Sequence, residues 1–179
     1  MILSLLRTPT VAANISGAGV DWLGPSEALT DNDTGASVVL SSGQSSDWLS
    51  LSGFSGDTIS NTVASAELLT EIRSGAPGNV AWETLLLTDG TQIASASGTE
   101  AIGAVYAIHA LDLLGVDSVT ATQLNDPLLE VRLRFTYAGQ SGPFLVDVIT
   151  VSVDVEKGIG GAPYFRFRYG LGSKHRSRG

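Results

Sequence analysis

The chain has 179 residues, with 18 acidic against 10 basic side chains, a formal net charge of −8, no cysteine, and 43% hydrophobic residues beside only 16% charged ones. That length suits one domain with a full-sized core, and the composition excludes a disordered solvating chain, whose signature is low hydrophobicity and high charge density. Without cysteine there is no disulfide framework and no thiolate nucleophile or metal ligand, and apolar runs such as Leu85–Leu87 fall far below the roughly 18 residues of a helical membrane span, which predicts a soluble chain.

Ser, Thr and Gly together make up about a third of the residues, a mix that suits turns and β-structure better than exposed helices. The N-terminal Met1–Arg7 carries its basic residue after its apolar stretch, the reverse of a secretory signal, and reads as an arm or first strand without export. Ala36–Leu40 and Asp47–Phe54, separated by Ser41–Ser46, predict a hairpin. Ala64–Arg73 alternates, with Ala64, Ala66, Leu68, Thr70 and Ile72 on one side and Ser65, Glu67, Leu69, Glu71 and Arg73 on the other, which favours a strand over a helix. Ala81–Thr88 and Gln92–Ser97 flank Asp89-Gly90, a strong signal for a tight hairpin, because both residues tolerate positive φ.

Glu100–Leu114 reads as strand or mixed structure, since Ile102, Val105, His109 and Leu113 would also suit a short helix. Thr120–Asn125 reads as a helical turn stopped before Pro127. Val131, Leu133, Phe135 and Tyr137 alternate strictly with Arg132, Arg134 and Thr136. Phe144–Val155 follows as a long β-branched run, with Val146, Val148, Thr150, Ser152 and Asp154 opposing Leu145, Ile149, Val151, Val153 and Val155. The two segments predict a hairpin with a loop of about five residues. Short strands at intervals of about ten residues, punctuated by Gly and Ser, predict an all-β fold, an antiparallel β-sandwich or jelly roll.

Charge divides the chain. Residues 1–165 hold all 18 acids against five basic residues, a net of −13, which opposes nucleic-acid binding. From Arg166 onward Arg166, Arg168, Lys174, Arg176 and Arg178 stand without an acid, a net of +5. Gly158-Ile-Gly-Gly161 reads as a joint between body and tail. In Tyr164–Tyr169 alternation sets Phe165, Phe167 and Tyr169 against Tyr164, Arg166 and Arg168, an aromatic and arginine composition favoured at interface anchors. Tyr164, Phe165, Arg166, Phe167, Arg168, Tyr169, Lys174, Arg176 and Arg178 are therefore the candidate subunit interface, docking on an acidic neighbouring surface or adding a strand to it.

The chain offers little catalytic chemistry. His109 and His175 are too few for the usual zinc sites or a supported triad, and no Gly-x-Ser-x-Gly elbow has suitable partners. Glu67, Glu71 and Glu83 are the remaining carboxylates for glycan hydrolysis, and no spacing sets two of them across a substrate. Asp31-Asn-Asp-Thr-Gly35 echoes half a calcium loop but lacks the downstream bidentate Glu. No cofactor or metal is expected. Trp22, Trp48 and Trp82, with Tyr106, Tyr137, Tyr164 and Tyr169, are candidates for a sugar platform or for packing.

The order Ser46–Phe54, Ala66–Arg73, Leu111–Gly115, Ala121–Pro127 and Val146–Val151 resembles a β-sandwich domain of tailed-bacteriophage structural proteins. That pattern has a strand ending in Gly-Phe, a long strand with a Glu-rich outer face, an Asn-Asp-Pro turn before an alternating strand, and a last strand with Asp-x-Val. Leu128-Leu-Glu130 departs from the Phe-Gly that follows the turn in the family, and 98–110 is apolar rather than polar. The resemblance spans about residues 28–155 and implies three regions: an arm or first strand (1–27), a sandwich (28–155) and an extension (156–179). It also implies a non-enzymatic virion protein, made in the host cytoplasm and not secreted. Head decoration or cement is the first placement, and tail or neck the second. Its partners would be other virion proteins and copies of itself, possible as a trimer. A carbohydrate-binding or adhesin-like sandwich is the alternative.

Overall fold

The computed structural model describes residues 2–29, 35–75, 78–137 and 142–156. Its strands are β1 (Ile2–Thr8), β2 (Val11–Ile15), β3 (Ala36–Leu40), β4 (Trp48–Ser52), β5 (Ser55–Gly56), β6 (Thr62–Ser74), β7 (Gly78–Thr88), β8 (Thr91–Ile102), β9 (Ala107–Asp112), β10 (Leu129–Tyr137) and β11 (Gly142–Glu156). A 3₁₀ turn at Pro25–Leu29 and one helical turn, α1 (Ala121–Leu124), complete the described elements. One sheet runs β5-β1-β11-β6-β9, with β3 also paired to β11, and the other runs β2-β4-β10-β7-β8. All of these pairings are antiparallel, and the protein is the expected β-sandwich.

Long β11 organises the first sheet. One of its edges is shared end to end by β3, on Gly142–Val146, and β1, on Val151–Glu156, while β6 runs along the other. Both early strands therefore enter the sandwich, β1 in the first sheet and β2 beside β4 in the second. Alternation decides which side of each strand is buried. Leu129, Val131, Leu133, Phe135 and Tyr137 of β10 are buried, as are Ala66, Leu68, Thr70, Ile72 and Ser74 of β6. Trp22, Phe135, Phe144 and Tyr137 form an aromatic chain through the core, with successive ring centroids 6.0, 6.4 and 4.6 Å apart. Burial of each such large apolar side chain contributes roughly 1.5–3 kcal/mol.

Two expected hairpins are corrected. β3 and β4 lie in different sheets, as do β10 and β11. In each case the chain crosses from one layer to the other instead of turning back beside itself. The third hairpin forms: Asp89 (φ 48°) and Gly90 (φ 71°) link β7 to β8 in one sheet, the left-handed pair that a type I′ turn requires.

The face assignment along β11 is corrected as well. Phe144 and Val146 are buried, and so are Val151, Val153 and Val155. The parity changes because the register shifts between Asp147 and Thr150, where β11 spends one more residue than β6. A β-bulge of this kind exchanges the inward and outward sets. In the 100–114 region the end of β8, to Ile102, and all of β9 are strand, in opposite sheets and joined by a non-strand connection at 103–106. At α1 the Thr120 side chain accepts from the Gln123 N–H while the Gln123 side chain accepts from the Thr120 N–H, a capping box.

Candidate functional site

Among the described residues a concavity lies where the 16–20 connection meets the 43–48 segment and the outer face of β10. It is a cleft of about 500 Å³ whose walls include Gly17–Val20, Gln44, Ser45, Asp47, Trp48 and Arg134. Backbone pairing builds its floor: the Val20 N–H donates to the Ser45 carbonyl (3.0 Å) and the Asp47 N–H to the Val20 carbonyl (2.8 Å). The approach is so close that a Cβ on Gly19 would stand 2.4 Å from the Ser46 carbonyl, so this position admits only glycine without backbone movement.

Asp47 ties the cleft together. Its carboxylate accepts from the Gly17 N–H (2.9 Å) and the Gly19 N–H (2.7 Å), and its carbonyl accepts from Trp22 Nε1 (2.8 Å). Burial pushes the Asp47 carboxyl up, but the two glycine N–H groups, followed by side-chain hydrogen bonding with Asp21 and Asn14, outweigh it and hold the group below the ordinary carboxylate range. It is an ionised acceptor already engaged by backbone donors and is poorly suited to take up a proton as a general base.

The opposite wall is a stack. The Arg134 guanidinium lies 4.5 Å from the centroid of the Trp48 ring, and its Nη2 donates to Glu83 Oε2 at 2.5 Å. Glu83 and Arg134 are directly paired across β7 and β10, so the sheet register itself brings them together. The cleft thus presents an aromatic ledge, a guanidinium and amide and hydroxyl groups from Gln44 and Ser45. No nucleophile–base pair lines it.

The candidates from sequence are dispersed. Trp22 and Trp82 are core residues, 3% and 6% exposed, and Tyr137 is fully buried. Trp48 is half-buried in the cleft wall, and half-buried Tyr106 lies beneath the Arg73 guanidinium at 4.5 Å. Glu67 and Glu71 stand on the outer face of the first sheet and Glu83 on that of the second, so these carboxylates do not converge. His109 bridges the sheet edges, its Nδ1 3.4 Å from Glu100 Oε2. Among the described residues no group of three or more His, Asp or Glu side chains is placed to hold a metal ion. Asp31–Thr34, the joint at 158–161, His175 and all nine interface candidates, Tyr164 to Arg178, lie outside the described residues.

Arg134 and the Gly17/Gly19/Asp47 arrangement were not singled out as a site from sequence. Arg134 is visible there only as an outward residue of an alternating strand, and the cleft draws its walls from three separated stretches.

No family model matches the chain, and no curated protein matches it. Among solved structures it is similar to a family 30 carbohydrate-binding module, with 13% identity, 92% of this chain and 93% of that one covered, and a TM-score of 0.45. It is also similar to a family two carbohydrate esterase from Cellvibrio japonicus (13% identity, 87% of this chain and 35% of that one, TM-score 0.34). A third similar structure is the VP2 subviral particle of infectious bursal disease virus (9% identity, 87% and 32% covered, TM-score 0.34). The chain spans about a third of the length of the esterase and capsid chains. None of these three is a tailed-phage protein.

Proposed function

We propose that this protein is a non-enzymatic structural component of a tailed-bacteriophage virion, a head decoration or cement protein held on the particle through its termini, the C-terminal extension above all. The observation that carries this reading is the division of charge along the fold. β11, in the interior of the first sheet, ends at Glu156, and the chain continues into a segment with five basic residues and no acid from Arg166 to Gly179, behind a body of net −13. A cationic, aromatic segment on an acidic sandwich is built to attach to a complementary protein surface. The motif order that resembles tailed-phage sandwich domains supports the same reading. Attachment in many copies makes individually weak contacts sufficient, through effective concentration. Partners are other virion proteins and further copies of this chain, a trimer being one such assembly.

Mass spectrometry of purified particles tests the reading. Hundreds of copies per particle are expected for a head protein, and a few dozen or fewer would move the assignment to tail or neck. Truncation after Glu156 should leave particles without the protein. Absence of the full chain from intact particles overturns the proposal.

The cleft supports a second reading, as a carbohydrate-binding sandwich. Trp48 is the one tryptophan of the three that lines the cleft rather than the core, and a ring there can stack on the apolar face of a pyranose. Binding on a glycan array that disappears in Trp48→Ala, with the fold intact, would establish it. Trp82→Ala is no probe of a platform, because Trp82 is buried.

A further inference from the structure

The outer face of the first sheet carries apolar and acidic side chains, with one cation among the described residues, Arg73, next to Glu71 and stacked on the Tyr106 ring. Residues paired directly across antiparallel strands share a side, so the register gives the rows. Leu6, Ser152, Glu67 and Asp112 form one row across β1, β11, β6 and β9, and Ser4, Asp154 and Ser65 form the next. On the other side of the first row Leu69 pairs with Ala110, and beyond it Glu71 pairs with Ile108. Leu6 is 49% exposed and Ile108 71% exposed. Glu67, Ala110 and Asp112 are also exposed, and Leu69, Glu71 and Asp154 are half-buried. Leu6 and Ile108 are thus open apolar residues at opposite sides of a face that carries the carboxylates Glu67, Glu71, Asp112 and Asp154.

We propose that this face receives the Tyr164–Arg178 segment of a second copy of the chain. The inference rests on the attachment reading above and names the receiving surface. The chemistry matches on both counts: Glu67, Glu71, Asp112 and Asp154 meet Arg166, Arg168 and the basic residues after them, while Leu6, Leu69 and Ile108 meet Phe165, Phe167 and Tyr169.

Length reaches a neighbour: Arg166 lies ten residues beyond Glu156, a reach of up to roughly 33 Å, which exceeds the roughly 20 Å width of five strands and can carry the segment past the edge of its own sheet to an abutting copy.

The test uses the full chain. Sedimentation across concentration at low and high salt should show self-association that weakens as salt rises. Glu67→Lys with Glu71→Lys, on a solvent-facing surface and therefore compatible with folding, should weaken it at least tenfold. Adding Arg166→Glu and Arg168→Glu to that same chain should restore it. Cross-linking of mixed isotope-labelled and unlabelled copies should join the segment to β6 or β9 of the other copy. A chain that stays monomeric at high concentration, association unmoved by the two lysines, or cross-links confined to one copy would each overturn the proposal. Failure here with the protein still present on particles leaves the attachment reading intact with another receiving surface. Self-association without particle attachment has the opposite meaning.

Discussion

Asn125 and Ile59, 66 residues apart, exchange two hydrogen bonds: the Ile59 N–H donates to Asn125 Oδ1 at 3.0 Å, and Asn125 Nδ2 donates to the Ile59 carbonyl at 2.6 Å. The same Oδ1 accepts from Arg7 Nη1 at 3.0 Å, and that guanidinium, 8% exposed, also donates to the carbonyls of Leu124 and Phe54. Burial lowers the Arg7 pKa, yet a guanidinium held by neutral acceptors stays charged. The side chain at the end of α1 thus joins β1 to the chain between β5 and β6. Asn125→Ala should destabilise the protein by about 2–3 kcal/mol, because it leaves partly buried backbone groups of Ile59 unpaired. Asn125→Asp keeps the acceptors and supplies a counter-charge to Arg7, so its denaturation midpoint should lie between those of wild type and Asn125→Ala.

Gly98 faces Trp82 across β7 and β8, and a Cβ added there would stand 2.5 Å from Trp82 Cζ2. The indole is laid over the glycine, so the absent side chain is what lets Trp82 reach its buried position. Gly98→Ala should cost about 1–3 kcal/mol by overpacking and change the tryptophan emission. Combination with Trp82→Phe should recover part of the loss, and additive effects of the two substitutions would refute the contact.

At the β7–β8 turn, backbone conformation sets the cost. Asp89 and Gly90 both hold positive φ, and nothing lies within 4 Å of a Cβ at Gly90. Gly90→Ala therefore tests strain alone and should destabilise by about 1 kcal/mol. Asp89→Asn should be close to neutral, since Asn tolerates the same region, and Asp89→Val should lower the midpoint clearly.

The contrast between this turn and the failed hairpins shows which features were legible. Asp89-Gly90 is a local signal, because both residues must satisfy the same turn. The faces of β6 and β10 were legible because one buried side imposes one parity. Pairing was not: the loop after Leu40 and the one after Tyr137 have lengths that serve a hairpin or a step between layers about 10 Å apart equally well. The bulge near Asp147 was hidden because β-branched residues occupy both parities of 144–155. At the site, Trp22, Trp48 and Trp82 are one residue type with three fates. The alternation of Val80, Trp82, Thr84 and Leu86 could have assigned Trp82 to the core. No spacing could have brought Gly19, Asp47 and Arg134 to one cleft.

On the outer face of the second sheet, Glu130 Oε1 accepts from Arg132 Nε and Ser50 Oγ, each at 2.7 Å, and Oε2 accepts from Arg132 Nη2 at 3.2 Å. Burial raises the Glu130 pKa, but the hydrogen bonds from Arg132 and Ser50 and the charge of Arg132 outweigh it, so the folded value lies below the ordinary 4.5. The folded state then binds the proton less well than the unfolded state. The stabilisation is complete above pH 4.5 and is lost as pH falls through the lowered value. Glu130→Gln should remove that share of the acid sensitivity: the wild-type urea midpoint, measured between pH 7 and pH 3, should fall further than that of the variant. Because the pair is partly solvated, the difference should be about 0.5 kcal/mol and shrink as salt is raised. Asp47, also lowered, titrates in both proteins and cancels in the comparison. Parallel pH profiles for the two proteins would show that the Glu130–Arg132 pair contributes nothing to folding.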